Sequence, residues 1–222
     1  MYSKILLLWI YCLAFTGGMV NTVCVAYFAT TVSHFTGVVS RFATHVAALR
    51  FRDMGSALAL MGAFLLGGAV SGFIVHEREF NLKKRYGIIL LFTGAALALA
   101  NALTAGRVYP FMLFLAFLMG LQNGLLLRYN GVVVRTTHMS GNLTDLGVYL
   151  GYFLRDPANR NHLEKALISL FCILFFAGGG VFGMLLYPVL GRRFFYVTAL
   201  FYWLIAAFYF RIRHLRLRGY IF

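Results

Sequence analysis

Acidic residues are scarce in this sequence, and charge of either sign is low. The 222 residues include 6 Asp and Glu, and charged residues make up 12% of the chain, whereas hydrophobic residues make up 61%. A soluble domain carries roughly 25% charged residues, about twice the fraction found here. The composition therefore excludes an ordinary soluble domain and predicts a protein embedded in a lipid bilayer.

Cysteine is also rare, and sequence signatures of catalysis are missing. Cys12, Cys24 and Cys172 lie in apolar stretches, and Cys12 and Cys24 stand about 18 Å apart along one predicted helix, too far for a disulfide. The apolar segments contain no zinc-type cysteine spacing, HExxH sequence, Ser/His/Asp set or paired carboxylates. We therefore expect no metal, no cofactor and no enzymatic activity.

Long apolar runs are what the chain has in abundance. Six of them, at 5–29, 55–75, 86–106, 108–127, 166–190 and 194–210, lack charged residues. Segments of about 17 to 25 residues cross the hydrocarbon core as helices. The first run is longer than the apolar part of a signal peptide and no A-x-A-like cleavage site follows, so we expect a retained helix.

The chain carries 20 Lys and Arg, and this excess would suit nucleic acid binding. These residues, however, lie in short loops and in the C-terminal sequence RIRHLRLR. Such a distribution predicts topology signals and contacts with anionic lipid headgroups rather than a nucleic acid partner. The sequence is also compatible with a homo-oligomer.

The chain consists of two related halves, residues 1–106 and 107–222, within one membrane domain. Three ordered matches define the repeat: GMVN at 18–21 with GLQN at 120–123, SHFTG at 33–37 with THMSG at 137–141, and FLLGGAVSGF at 64–73 with FFAGGGVFGM at 175–184. The last match aligns Gly67, Gly68 and Gly72 with Gly178, Gly179 and Gly183. We call residues 33–37 and 137–141 the first and second histidine motifs. Gly68/Gly72, Gly179/Gly183 and Gly147/Gly151 also form small-x-x-x-small patterns that favour close helix packing.

A short helix is predicted after each motif, at 38–50 and 142–154. Each is about 20 Å long, too short to cross a core of roughly 30 Å, which favours re-entrant segments. Six spans with an inside N-terminus place fourteen of the 20 Lys and Arg on the inner side and six on the outer side. If the short helices also crossed, the split would be about eleven to eight, so the positive-inside rule favours six spans. The fold prediction is therefore all-α and polytopic: six transmembrane helices and two short re-entrant helices, as a 3+3 inverted repeat with both termini cytoplasmic. A reporter at Asn81 is expected on the cytoplasmic side.

Polar residues within these apolar surroundings are the candidate site. Inverted repeats with broken helices place their site between the halves, so the two motifs should converge there. The candidate solute- or ion-binding residues are Asn21, Ser33, His34, Thr36, Gly37, Arg41, Asn123, Thr137, His138, Ser140, Gly141, Asn142 and Asp145. The free N–H groups at the helix starts favour an anion or a carbonyl oxygen. In the structural alternative, the asparagines only join helices and the motif hydroxyls only cap them.

Asp145 is the one acidic residue expected at membrane depth, and the motif offset makes Arg41 its counterpart. One interpretation pairs the two residues across the pseudo-twofold axis. The other leaves both at the interface, with Arg41 reaching towards the headgroups. If the protein transports a solute, Asp145 is predicted to set its proton or cation dependence.

Taken together, these residues resemble the YoaK-type family of small multi-pass bacterial membrane proteins of unknown function. The resemblance rests on the G-x-x-N sequence, on THMSGNLTDLG at 137–147 and on the Gly-Gly helix, and it covers nearly the whole chain. The family form SHMTGN typically sits in the first half, where this chain has SHFTGV with Val38 in place of Asn. The resemblance implies a protein of the bacterial inner membrane and implies no substrate.

Two functions from different classes fit this sequence. The first is a transporter or channel for a small polar solute, with its site between the inverted halves. The second is a non-transporting membrane protein, such as a subunit, sensor or stress-related factor, in which the polar motifs are structural. A cavity that meets both histidines would favour the first, and a fully packed interior the second.

Overall fold

The computed structural model describes residues 2–76, 82–125, 127–129, 132–134 and 136–218, which are mostly helical. Asn81, the reporter position, lies outside the described residues. The helices are α1 (Tyr2–Phe28), α2 (Thr36–Ala47), α3 (Phe51–Val75), α4 (Lys84–Leu103), α5 (Val108–Asn123), α6 (Met139–Arg155), α7 (Arg160–Leu190) and α8 (Phe194–Leu217). Strands β1 (Leu127–Tyr129) and β2 (Val132–Val134) form an antiparallel hairpin, and a 3₁₀ turn at Gly191–Arg193 joins α7 to α8.

The apolar runs of the sequence form the long helices. Four stretches are long and apolar enough to cross a membrane: Lys4–Phe28, Phe51–Val75, Lys84–Leu103 and the 58-residue stretch Arg160–Leu217, which contains α7 and α8. The apolar helix α5 has 16 residues and is shorter than these. The prediction of a helical, membrane-type chain is confirmed at this level.

A short hairpin replaces the end of one predicted helix within an otherwise helical fold. The apolar run 108–127 was expected to be one helix, but α5 ends at Asn123. The chain then forms β1 and β2, with Leu127 opposite Val134 and Tyr129 opposite Val132. Three consecutive valines at 132–134 favour a strand, because β-branched side chains suit the pleated backbone.

The short helices exist, with different bounds from those predicted. α2 begins two residues earlier than expected and ends three residues earlier, and Leu49 with φ 52° follows it in the left-handed region. α6 begins three residues earlier and has 17 residues, about 25 Å of helix. In both cases the helix starts within the histidine motif, so the last residues of the motif belong to the first turn while the histidine and the residue before it precede the helix.

The first long helix of each half packs against a helix of the other half. α1 packs along α7, and α5 packs along α3. At both crossings, a glycine on each helix touches the carbonyl of a phenylalanine on its partner. These pairs are Gly18–Phe176 and Gly179–Phe15 between α1 and α7, and Gly120–Phe64 and Gly67–Phe117 between α5 and α3. Only glycine fits such backbone contacts, since a Cβ would overlap the carbonyl.

These contacts correct the glycine alignment by one residue. Gly67 occupies the place of Gly179, and not of Gly178, because their partners Phe117 and Phe15 are themselves equivalent in the repeat. The run of three glycines at 178–180 lets a sequence comparison slip by one position. The helix-packing interpretation is also wrong for Gly72, Gly147 and Gly151, where an added Cβ would meet nothing within 4 Å.

Side-chain contacts give the directions of the paired helices. α1 and α7 are parallel, because Tyr11 stacks near Phe175 and Tyr27 stacks near Tyr187 further along both helices. α3 and α5 are also parallel. Tyr109 near the start of α5 reaches the Ser56 carbonyl, and Gly124 directly after α5 lies beside Ser71.

Helix α8 packs against both α4 and α1. It runs antiparallel to α4, since the Tyr209 hydroxyl donates to the Lys83 carbonyl at the start of α4 (2.7 Å) and Arg192 contacts its end. The buried Trp9 of α1 donates to the Ile205 carbonyl at 3.2 Å and lies 4.9 Å from the Tyr209 ring. α8 thus fixes α1 and α4 in the core, and no α8 residue is among those that line the site, which lies where the two histidine motifs meet α3 and α5.

Candidate functional site

Each histidine motif folds back onto the asparagine of the preceding long helix. The Ser33 hydroxyl donates to Asn21 Oδ1 at 2.9 Å, and both residues are buried. In the second half, the Thr137 hydroxyl donates to Asn123 Oδ1 at 2.8 Å and accepts from Asn123 Nδ2 at 2.6 Å. The residue before the histidine thus bonds the G-x-x-N asparagine in both halves, so the two sequence matches are parts of one repeated unit.

The first of these bonds fixes the depth of its motif. Asn21 lies seven residues before the last residue of α1, Phe28, which is about 10 Å along the helix axis. To reach Asn21, the chain leaving α1 must turn back by the same distance. The first motif therefore re-enters the helical body, and α2 begins inside it.

The motif hydroxyls do not cap the short helices. The N-cap residues are Phe35 for α2 and His138 for α6, and neither helix start has a side-chain cap. The capping interpretation is therefore wrong. Ser33 and Thr137 are engaged by asparagine amides instead, which satisfies those buried polar groups while leaving the helix starts uncapped.

Both motifs line one cavity of about 420 Å³. The predicted convergence of the two histidines is thereby confirmed. The lining residues are Ser33, His34, Phe35, Thr36, Phe64, Gly68, Gly72, Gly120, Asn123, Gly124, His138 and Ser140. One side is formed by the motifs and the other by the glycine-rich crossing of α3 and α5, where missing side chains leave the room that the cavity occupies.

His34 is held in a defined orientation. Its Nδ1 lies 2.9 Å from Ser33 Oγ, and its ring meets the Phe176 ring edge-on at 5.6 Å. Since the single Ser33 hydrogen goes to Asn21, the Ser33 oxygen accepts from His34 Nδ1–H, which leaves Nε2 with its lone pair. Burial, and secondarily the charge of His138, lower the pKa of His34 below its ordinary value.

His138 is arranged differently. Its side chain is exposed, and its ring lies over the first turn of α6 at Gly141. A Cβ at Gly141 would lie 2.5 Å from the His138 Nδ1 atom, so a side chain at this motif position would displace the imidazole. A Cβ added at Gly37, the counterpart of Gly141, would meet nothing within 4 Å. The two halves therefore differ in how the histidine ring is placed.

The remaining predicted site residues divide between the cavity and its support. Thr36 and Ser140 line the cavity, whereas Asn21 and Thr137 are buried behind it as hydrogen-bond partners of the motifs. Asn142 is buried on α6 at the position equivalent to the buried Val38 of α2. The apolar replacement in the first half therefore sits at a packing position rather than in the cavity.

Arg41 and Asp145 are not among the residues that line this cavity. Arg41 is exposed on α2 and donates to the Ala29 carbonyl at 3.4 Å, with no ion pair to Asp145. The ion-pair interpretation is therefore wrong. Asp145 is half-buried on α6, one turn from Tyr149, whose ring lies 5.5 Å from Lys165 Nζ.

Sequence reasoning missed the role of Gln122. This buried side chain donates to the Leu13 carbonyl at 3.0 Å and to Thr136 Oγ1 at 2.8 Å, and it accepts from the Tyr202 hydroxyl. It thus joins α1, α5, α8 and the start of the second motif. The signal was its place inside GLQN, where the first half has Val20.

Comparison with known proteins gives one match. A family model described as "Protein of unknown function (DUF1275)" matches residues 9–208. The YoaK-type resemblance is thereby confirmed, since YoaK is a member of that family. No curated protein and no solved structure matches the chain.

Proposed function

We propose that this chain, which belongs to the DUF1275 family of unknown function, is a transporter of a small polar solute in the bacterial inner membrane. The observation that carries the proposal is the single cavity lined by both histidine motifs. A protein in which the motifs serve only as structural supports has no need of an open space between them.

The directions of the helices support an inverted repeat. α1 is parallel to α7, α8 follows α7 after a tight turn and opposes α4, and α3 is parallel to α5. If α1 runs outward, then α4 and α7 also run outward, while α3, α5 and α8 run inward. Each helix of the first half then opposes its counterpart in the second. Six crossings follow, and the segments that contain α2 and α6 leave and return on the same side.

The positions of the basic residues agree with this arrangement. The ends that face outward carry six arginines, whereas the start of α4, the start of α7 and the end of α8 carry most of the rest. The outer set is Arg41, Arg50, Arg52, Arg107, Arg192 and Arg193. By the positive-inside rule, this distribution supports a cytoplasmic location for both termini.

The way in which the helices pair offers a mechanism. One body consists of α1 and α7 with α6 against α7, and the other consists of α3 and α5 with α2 against α3. The first motif is bonded to α1 and leads into α2, and the second is bonded to α5 and leads into α6. Each motif therefore connects the two bodies at the cavity. Rocking of one body against the other would open the cavity to alternate sides, the usual behaviour of inverted repeats.

A labelling experiment tests this without knowledge of the solute. The native cysteines at 12, 24 and 172 are replaced by alanine, and Thr36→Cys or Ser140→Cys is introduced at an exposed lining position. A membrane-impermeant thiol reagent is then applied separately to right-side-out and inside-out vesicles. We expect both cysteines to react from both sides.

Thr44→Cys provides the matched control, because Thr44 is exposed on α2 and does not line the cavity. It should react from one side only. Reaction of the cavity cysteines from a single side would refute transport and favour the non-transporting alternative.

A further inference from the structure

Among the described residues, the lining of the cavity is largely apolar, and its polar groups carry no negative charge. Its titratable side chains are His34 and His138, and its other polar groups are three hydroxyls and the Asn123 amide. Within the described ranges, neither aspartate nor glutamate lines it. A cation would find no carboxylate there, whereas metal and organic cations are commonly held by carboxylates or clustered oxygen ligands.

Two helices begin at this cavity. Thr36 is the first residue of α2, and Ser140 is the second residue of α6, and both line the cavity. Neither helix has a side-chain cap. The N–H groups of a first helical turn carry partial positive charge, and in broken membrane helices they commonly face anionic groups.

The imidazoles are a second, separate source of positive charge. Among the described residues, His138 has no side-chain hydrogen-bond partner, and its ring lies over the first turn of α6. His34 has its Nδ1 occupied by Ser33, so its Nε2 is the atom that can take up a proton. Protonation at Nε2 would turn His34 from an acceptor into a cationic donor.

We propose that the cavity binds a small anion, of the size of a halide, nitrate or short carboxylate, between the first turns of α2 and α6. Protonated His34 and His138 supply the balancing charge. This rests on the proposed function and assigns the class of its solute. Since a bound anion and a bound proton favour each other, binding should tighten as the pH falls.

The surroundings of His34 make this linkage specific. Its side chain contacts the Ser33 hydroxyl and the ring of Phe176, and its backbone bonds the Thr31 hydroxyl; all three groups are uncharged. In the part of the chain that the structure describes, the charged group that acts on it is His138. Repulsion from His138 opposes protonation of His34, and an anion between the two imidazoles would relieve that repulsion.

The test uses the full chain in lipid nanodiscs and follows thermal unfolding. Sodium chloride, nitrate, formate and acetate are titrated against sodium gluconate at constant ionic strength, and lithium, potassium and choline chloride form the cation series. We expect a saturable rise in melting temperature that depends on the anion and not on the cation. The midpoint concentration should fall about tenfold between pH 8 and pH 6.

Acetate and acetamide form a matched pair of probes, because they share shape and differ in charge. Acetate should raise the melting temperature saturably and acetamide should not. An equal effect of the two, or dependence on the cation alone, would overturn the anion assignment.

Two variants place the effect in the cavity. His138→Gln should weaken the anion effect at least about tenfold, whereas His214→Gln, at an exposed position on α8, should leave it unchanged. Thr36→Asp would place a carboxylate at the exposed first turn of α2, where it stabilises a helix start. It should therefore remove the anion effect without lowering the melting temperature of the anion-free protein. An anion effect that survives in both cavity variants would contradict the proposed site.

The labelling experiment separates this inference from the function it rests on. Two-sided labelling without an anion effect would leave transport standing and refute the anion as solute. An anion effect with one-sided labelling would refute transport and leave an anion-binding membrane protein.

Discussion

Arg192 Nη1 lies 2.9 Å from the carbonyl oxygen of Thr104, the residue that follows the last turn of α4. The same guanidinium reaches Asn101 Oδ1 through Nε at 3.2 Å and lies 4.7 Å from the centre of the Phe111 ring. The last carbonyls of a helix have no partner within the helix, and a cation there also opposes the negative end of the helix dipole. Arg192 therefore ties the turn between α7 and α8 to the end of α4.

Replacement of this arginine should loosen that connection. Arg192→Lys keeps the charge but loses the planar fork that reaches several acceptors at once. We expect the free energy of unfolding to fall by about 1–3 kcal/mol, measured by denaturation of the purified protein in detergent. Arg193→Lys changes the exposed neighbouring arginine and should have little effect. Equal losses in the two variants would show that the contacts of Arg192 contribute nothing specific.

The glycine crossings should tolerate no side chain. Gly67→Ala and Gly179→Ala each place a Cβ against a phenylalanine carbonyl on the partner helix. Because backbone cannot move aside as a side chain can, each variant should separate its helix pair and lower the yield of monodisperse protein severalfold. Gly72→Ala, which would meet nothing within 4 Å, is the control. Normal yields of both variants would contradict the described crossings.

The bond between the second motif and α5 should contribute measurably to stability. Thr137→Val keeps the shape of the buried side chain and removes the hydroxyl that Asn123 both donates to and accepts from. We expect a loss of about 1–2 kcal/mol in the free energy of unfolding. Thr144→Val removes an exposed hydroxyl on α6 and should be close to neutral. A Thr137→Val protein as stable as the unchanged chain would argue against this bond.

Stability should fall on mild acidification because of His34. Its pKa in the folded chain lies below the ordinary value of 6.5, so the unfolded chain binds this proton at a higher pH than the folded chain does. Folding stability is therefore fully present above about pH 6.5 and declines as the pH falls towards the lowered pKa. His34→Gln should flatten this slope of the melting temperature, measured with gluconate as the bulk anion. His214→Gln should retain the slope, and an unchanged slope in His34→Gln would exclude His34 as its source.

The sequence determined the class of the protein and the pieces of its site. Uncharged runs of about 20 residues have few alternatives to buried or membrane-type helices, because backbone polar groups in an apolar medium must be bonded within the helix. The duplicated motifs were visible as spacing alone, and they identified both histidines, both asparagines and the hydroxyls between them.

Only the tertiary structure decided how those pieces are used. No local pattern reveals that α1 packs on α7 rather than on α3, because an apolar face fits many partners and the choice depends on where glycines meet carbonyls across the crossing. For the same reason, sequence could not show that Ser33 and Thr137 bond asparagines rather than cap helices, or that Arg41 and Asp145 stay apart. Gln122 likewise resembled any polar residue late in a helix until Leu13, Thr136 and Tyr202 were brought around it. Propensity and spacing act within one segment, whereas the cavity exists because two such segments meet.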